Sequence, residues 1–208
     1  MKNFHKHISA LTIATAAIIF FAIPLCLKAQ TIYKLLPAKD VSVKVLGSSN
    51  IHDWTMNATS VESQGDFKIE AGQLRGLTSF TFSADAKGLK SEHSSMDDRT
   101  YKCIKADQFP KITFKLTSAV VTEVQKGKYT IKASGDLTIS GATQAIVLDV
   151  TAAINADNTI SCSGSQKIKL TDYKIDPPTF MLGAMKVYND LTIQYNLIYK
   201  NIGDALIF

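Results

Sequence analysis

Polar and apolar positions alternate with a period of two along almost all of the chain after Thr31. Val41, Val43 and Val45 are separated by Ser42 and Lys44, and Phe80, Phe82, Ala84 and Ala86 by Thr81, Ser83 and Asp85. The same beat runs through Ile112, Phe114 and Leu116, and through Tyr129, Ile131 and Ala133. It continues in Leu137 and Ile139, in Ile146, Leu148 and Val150, in Ile168 and Leu170, and last in Leu191, Ile193, Tyr195 and Leu197. Successive side chains of a strand point to opposite faces, so each run predicts one apolar and one wet face, as in antiparallel sheet. Turn residues punctuate the runs at Gly47-Ser48-Ser49-Asn50, Ala71-Gly72, Lys126-Gly127-Lys128, Ser140-Gly141 and Ala156-Asp157-Asn158. About eight long strands joined by short loops must hide their edges, and closure into a barrel does so completely. The expected fold class is therefore all-β with one short helix.

Two segments leave the pattern. Ser94-Ser95-Met96-Asp97-Asp98 reads as a helix start, with serine to cap backbone N–H groups and acids at the positive end of the dipole. Pro110 stops it, so a helix is expected over about Ser95–Asp107, plugging or lidding one barrel end. The stretch from Lys174 to Met185 contains Pro177 and Pro178, neither of which donates a ladder hydrogen bond, and is expected to be a loop.

The first residues change the reading of compartment and charge. Lys2 and Lys6 precede an apolar run from Ile8 to Leu27, and Leu27-Lys28-Ala29 has the form of a processing site. The expectation is a signal peptide over residues 1–29, a single domain over 30–208, and a periplasmic or secreted product. The chain's net charge of +5 falls to +2 once the three leader lysines are gone, and no Lys/Arg run stands out. Nucleic acid is not an expected partner. Cys103 and Cys162 then remain, able to pair in an oxidising compartment or to stay as buried thiols.

Candidate chemistry is sparse. His52-Asp53-Trp54 is the most enzyme-like cluster, but adjacent strand residues face opposite ways, which separates His52 from Asp53. Ser91-Glu92-His93-Ser94 lacks the glycines of a nucleophile elbow, and no His or Cys spacing suits a metal. No catalytic residue, metal or cofactor is expected. The inward set mixes large Trp54, Phe80, Phe82 and Phe114 with small Ala84, Ala86, Ala133 and Ala152, which fits a ligand slot and a dry interlocked core alike.

Three stretches carry a resemblance. Gly65-Asp66-Phe67, then Phe109-Pro110-Lys111-Ile112-Thr113-Phe114, then Gly135-Asp136-Leu137-Thr138-Ile139-Ser140-Gly141-Ala142-Thr143 occur in the order typical of the YceI-like family of lipid- and polyisoprenoid-binding proteins. The chain resembles that family from about Leu36 to Leu197. The resemblance implies a lipocalin-like barrel whose bore takes a polyisoprenoid, an isoprenoid quinone or another long apolar lipid, with a membrane only as transient lipid source. On that expectation Trp54, Phe80, Phe82, Phe114, Leu137, Ile139, Leu148 and Ile193 line the bore, and Arg99 or Lys102 meets a polar head at the mouth. Two rival readings are a solid-core envelope protein that binds a partner and a histidine-dependent hydrolase or isomerase.

Overall fold

A computed structural model describes residues 32–203; the expected leader and its processing site lie outside the described residues. Thirteen strands and one α-helix follow in the order β1 (Ile32–Leu35), β2 (Ser42–Ser48), β3 (Asp53–Ala58), β4 (Val61–Glu70), β5 (Gln73–Asp85), β6 (Leu89–Lys90), α1 (Ser94–Cys103), β7 (Lys111–Gln125), β8 (Lys128–Ile139), β9 (Ala142–Ile154), β10 (Ile160–Lys169), β11 (Thr179–Phe180), β12 (Met185–Lys186) and β13 (Asp190–Asn201).

Every ladder is antiparallel, and strand β13 closes the sheet on itself. One edge of β13 pairs with β10 from Lys169 back to Ile160. Its other edge pairs first with β2 through Thr192–Asn196, then with β1 through Tyr199–Asn201. Strands β1 and β2 are one stave broken around Pro37, and β3 and β4 are another broken at Thr59–Ser60. Counted this way the wall is a closed barrel of eight antiparallel staves. Strand β6 adds to the edge of β3 at Asn57 and Ala58.

Alternation decides the two faces. Val43, Phe114, Ile131, Ala133, Leu137 and Leu197 are buried inside, while Lys44, Lys115, Lys132 and Asp149 stand outside, with Lys132 and Asp149 ion-paired at 3.1 Å. A polar outside around an apolar inside is the reverse of a lipid-facing barrel. The register slips between Asp66 and Phe67, opposite Thr78, and between Lys68 and Ile69, opposite Arg75. The first bulge reverses the parity of β5 and the second restores it, so Leu77 as well as Leu74 packs in one buried cluster with Phe80 and Phe82, although Leu77 breaks the simple alternation.

The helix forms in the expected segment but ends at Cys103, short of the expected Asp107, because Lys105 turns to a φ of +53° well before Pro110, and it is anchored differently. It spans Ser94–Cys103, with His93 at the capping position and no side-chain cap there. The buried Asp97 carboxylate instead accepts the Ser91 N–H at 2.7 Å and the Ser91 hydroxyl at 2.8 Å. A carboxylate accepts both donors with charge assistance, which a serine cap does not provide. The segment after β10 is also more ordered than a plain loop. The short strands β11 and β12 pair through Thr179–Lys186 and Phe180–Met185. Both prolines precede this ladder, so neither is asked to donate within it.

Candidate functional site: an apolar bore with a covered mouth

The eight staves enclose a cavity of about 400 Å³, not an interlocked solid core. That volume lies in the range of roughly 300–1,000 Å³ typical of small-molecule sites. Of the eight residues expected to line a bore, Trp54 on β3, Phe80 and Phe82 on β5, and Phe114 on β7 stand in its wall. So do Leu137 and Ile139 on β8, Leu148 on β9 and Ile193 on β13.

The bore is hollow because its aromatic rings lie flat against glycines. Gly47 is the cross-strand partner of Trp54, and a Cβ at Gly47 would stand 2.1 Å from the Trp54 ring. Gly164 partners Tyr195 in the same way, with the Tyr195 hydroxyl 2.4 Å from where a Cβ would be. The Phe114 ring similarly covers Gly135, at 2.4 Å. A side chain at any of these glycines would push a ring off the wall into the lumen. Glycine within a strand commonly marks such an approach. Sequence reasoning named Trp54 and Phe114 but not the glycines beneath them: Gly47, expected in a turn, instead lies within β2, and Gly135 and Gly164, within β8 and β10, are the available strand-interior signal.

The phenols and the thiol deep in the bore are uncharged near neutral pH. Burial, reinforced by Cys162 and Asp149, pushes the Tyr195 phenol up to about 12. Burial, reinforced by Asp172, does the same to Tyr173. Burial alone pushes the Cys162 thiol up to about 12. Deeper still, the Tyr199 hydroxyl is bonded to Ser63 at 2.9 Å, and burial raises its pKa strongly. The Trp54 indole nitrogen and the Tyr195 hydroxyl are buried without a hydrogen-bond partner among the described residues. Such a wall can solvate a hydrocarbon chain, and it offers these two donors to any oxygen the chain carries.

One end is the mouth. Helix α1 contributes Met96, Arg99, Thr100 and Cys103, and the turn after β2 contributes Ser49 and His52. The β11–β12 hairpin arches over from the other side with Phe180 and Met185. Arg99 lies 4.7 Å from the Phe180 ring centroid, a cation–π contact that joins helix to hairpin across the opening. Asn50 ties the turn to the hairpin, donating to the Ala184 carbonyl at 2.9 Å and accepting the Lys186 N–H at 2.8 Å. Lys102 is exposed and outside the cavity wall, so of the two expected head-group cations Arg99 is the one at the mouth.

The histidines do not form a proton-transfer pair with the neighbouring acid. His52 is exposed at the mouth, and its Nδ1 lies 2.8 Å from the backbone carbonyl of Asp53, not from its carboxylate. His93 borders the same opening. Cys103 and Cys162 are both free thiols, Cys103 half-buried in the cavity wall and Cys162 fully buried deeper in the bore. Burial, and then Asp176, raises the Cys103 thiol as well.

A closed eight-stave barrel with a helix at its mouth can be compared with known proteins. Residues 38–199 match the YceI-like domain. The chain belongs to the YceI-like family. Two solved structures share the fold: Burkholderia cenocepacia BcnA, 17% identical, covering 76% of this chain and 95% of its own with a TM-score of 0.61, and a polyisoprenoid binding domain from Saccharophagus degradans implicated in plant cell wall breakdown. The latter is 12% identical, covers 83% of this chain and 99% of its own, and has a TM-score of 0.63. No curated protein sequence matches the chain. The barrel of this YceI-like protein is thus hollow and walled by apolar groups, with its mouth at the helix end beneath α1 and the β11–β12 hairpin.

Proposed function

We propose that this YceI-like protein sequesters or carries a long apolar lipid of the polyisoprenoid or isoprenoid-quinone class, in the cell envelope, and catalyses no reaction. The observation that carries the reading is the bore itself: about 400 Å³ of space walled by aliphatic and aromatic side chains. A dry apolar cavity of about 150 Å³ takes up one benzene, so this bore holds about 15 carbons, or three isoprene units. At about 0.8 kcal/mol per buried CH₂ the gross gain is about 12 kcal/mol. Association costs at least about 4 kcal/mol, which leaves affinities up to the micromolar range. The fold shared with a polyisoprenoid binding domain supports the same ligand class. A leader over residues 1–29 supports the envelope.

Arg99 is the group suited to a polar or anionic head at the mouth, because its guanidinium already spans the opening beside Phe180. Binding is favoured over catalysis because His52 is held by a backbone carbonyl and the deeper wall is neutral. The test is titration of the protein with farnesol, a 15-carbon isoprenoid alcohol, followed by fluorescence of the sole tryptophan, Trp54. Saturable quenching or a shift at one equivalent, lost in Phe82→Asp, is expected. A flat titration of folded wild-type protein would refute the reading.

A further inference from the structure

Seven large apolar side chains are strongly exposed among the described residues, and four of them stand together at the mouth. Ile51 is 57% exposed, Met181 72%, Leu182 110% and Tyr188 51%. Ile51 belongs to the turn after β2, Met181 and Leu182 to the β11–β12 hairpin and Tyr188 to the link from β12 to β13; turn and hairpin are joined by the Asn50 bonds, and Tyr188 N–H donates to the Ser48 carbonyl at 2.9 Å. The same two segments put His52, Phe180 and Met185 into the cavity wall. The exposed patch is therefore the outer rim of the opening that the inner wall leads to.

The hairpin tip is built to point outward. Met181 and Leu182 have φ of +54° and +53°, and Gly183 has +91°. Side chains other than glycine, asparagine and aspartate seldom occupy this region, and methionine and leucine gain nothing there from local hydrogen bonds. Backbone bonds close the tip, Gly183 N–H donating to the Phe180 carbonyl at 3.1 Å and Ala184 N–H to the Met181 carbonyl at 3.2 Å, while the Leu182 side chain is left fully exposed.

We propose that this rim docks on a lipid surface, with Met181 and Leu182 inserted among the lipids so that cargo passes between membrane and bore without crossing water. The inference rests on the lipid-carrier reading and adds where and how the carrier meets its source. A convex two-residue tip is too small for a stable protein interface, which buries about 1,200 Å² or more, but it suits penetration of a fluid bilayer. The charge around it also commits the mechanism. Across the turn from β2 to Asp53, helix α1 and residues 171–190, the exposed charged residues are Asp53, Asp98, Asp172, Asp176 and Asp190 against Arg99, Lys102, Lys174 and Lys186, five acids against four cations. Attraction to anionic headgroups cannot hold this face to a membrane. Apolar insertion must, and it works on zwitterionic lipid and tolerates salt.

The experiment is co-sedimentation of protein lacking residues 1–29 with sucrose-loaded phosphatidylcholine vesicles. Wild type should partition to the vesicles equally at low salt and at high salt. Met181→Asn with Leu182→Asn should lower the partition coefficient at least about tenfold, the order expected for withdrawing one such side chain from lipid. Asparagine is at ease at positive φ, so this variant keeps its fold. Val120→Thr with Val124→Thr, which removes exposed apolar side chains near the β7–β8 turn, should leave partition unchanged. Farnesol binding measured without vesicles separates the two claims: its absence in wild type sinks the carrier reading, whereas its retention in the tip variant with partition lost supports docking. The docking proposal is overturned by no wild-type partition, by equal loss in the two variants, by loss at high salt, or by a wild-type dimer that the tip variant converts to monomer.

Discussion

Replacing Ala133 with phenylalanine would place a ring inside the bore. Ala133 is buried on β8, and its Cβ faces the lumen between the neighbouring staves β7 and β9. A phenyl group fills about the space of one benzene, about 150 Å³, so the cavity should shrink from about 400 Å³ to roughly 250 Å³. The carbon capacity falls with it, from about 15 to about 10. Binding of straight-chain alcohols, measured by Trp54 fluorescence, should strengthen about fourfold per carbon, the equivalent of about 0.8 kcal/mol per CH₂. In wild type that rise should end near 15 carbons, and in Ala133→Phe near 10. Long chains should therefore lose about 4 kcal/mol, roughly a thousandfold, while chains of eight carbons lose little. Overpacking of about 1–3 kcal/mol would appear separately in the unfolding midpoint. A uniform drop at every chain length, or a wild type indifferent to length, would show that the bore is not the binding site.

Other outcomes follow from the wall, the thiols and the helix anchor. Gly164→Ala should force Tyr195 off the wall, costing about 1–3 kcal/mol in urea unfolding and shortening the longest chain accommodated; unchanged capacity would mean the ring can settle elsewhere. In protein lacking residues 1–29, alkylation at neutral pH should be slow at Cys103 and undetectable at Cys162, and filling the bore with farnesol should slow Cys103 further. Rapid modification of Cys162 would contradict the closed interior. Burial pushes the Asp97 carboxyl up, but Ser91 and Lys90 outweigh it and hold the folded value below the ordinary one. A depressed carboxyl contributes stability in full above its unfolded value of about 3.9, and loses it as pH falls through the folded value. Asp97→Asn should accordingly be less stable than wild type at pH 7 and show a flatter loss below about pH 4, read by urea unfolding across pH; parallel curves would show that Asp97 does not anchor the helix.

Much of the barrel was legible because period-two alternation survives one face being buried and the other wet. Alternation set Trp54, Phe80, Phe82 and Phe114 facing inward, the family resemblance extended the expected lining to Leu137, Ile139, Leu148 and Ile193, and all eight stand in the cavity wall. Alternation cannot say whether that side is hollow, because hollowness depends on where the rings lie, and the rings lie flat only because Gly47, Gly135 and Gly164 sit beneath them. It also cannot carry parity across a bulge, and Leu77 falls out of step with Phe80 for that reason. Serine at a helix start signals a cap, yet here Asp97 reaches back to Ser91, a contact fixed by how the chain enters the helix. The β11–β12 ladder is two residues long on each side, too short for any period to register.

A lipid carrier should still hold its cargo when it is taken from its own cell. Native mass spectrometry of protein purified from the producing organism without detergent, followed by organic extraction, measures this directly. The expected result is one equivalent of a long-chain isoprenoid or related apolar lipid in wild type and none in Phe82→Asp. A folded wild type with no bound lipid, or the same lipid at the same stoichiometry in both proteins, would contradict it.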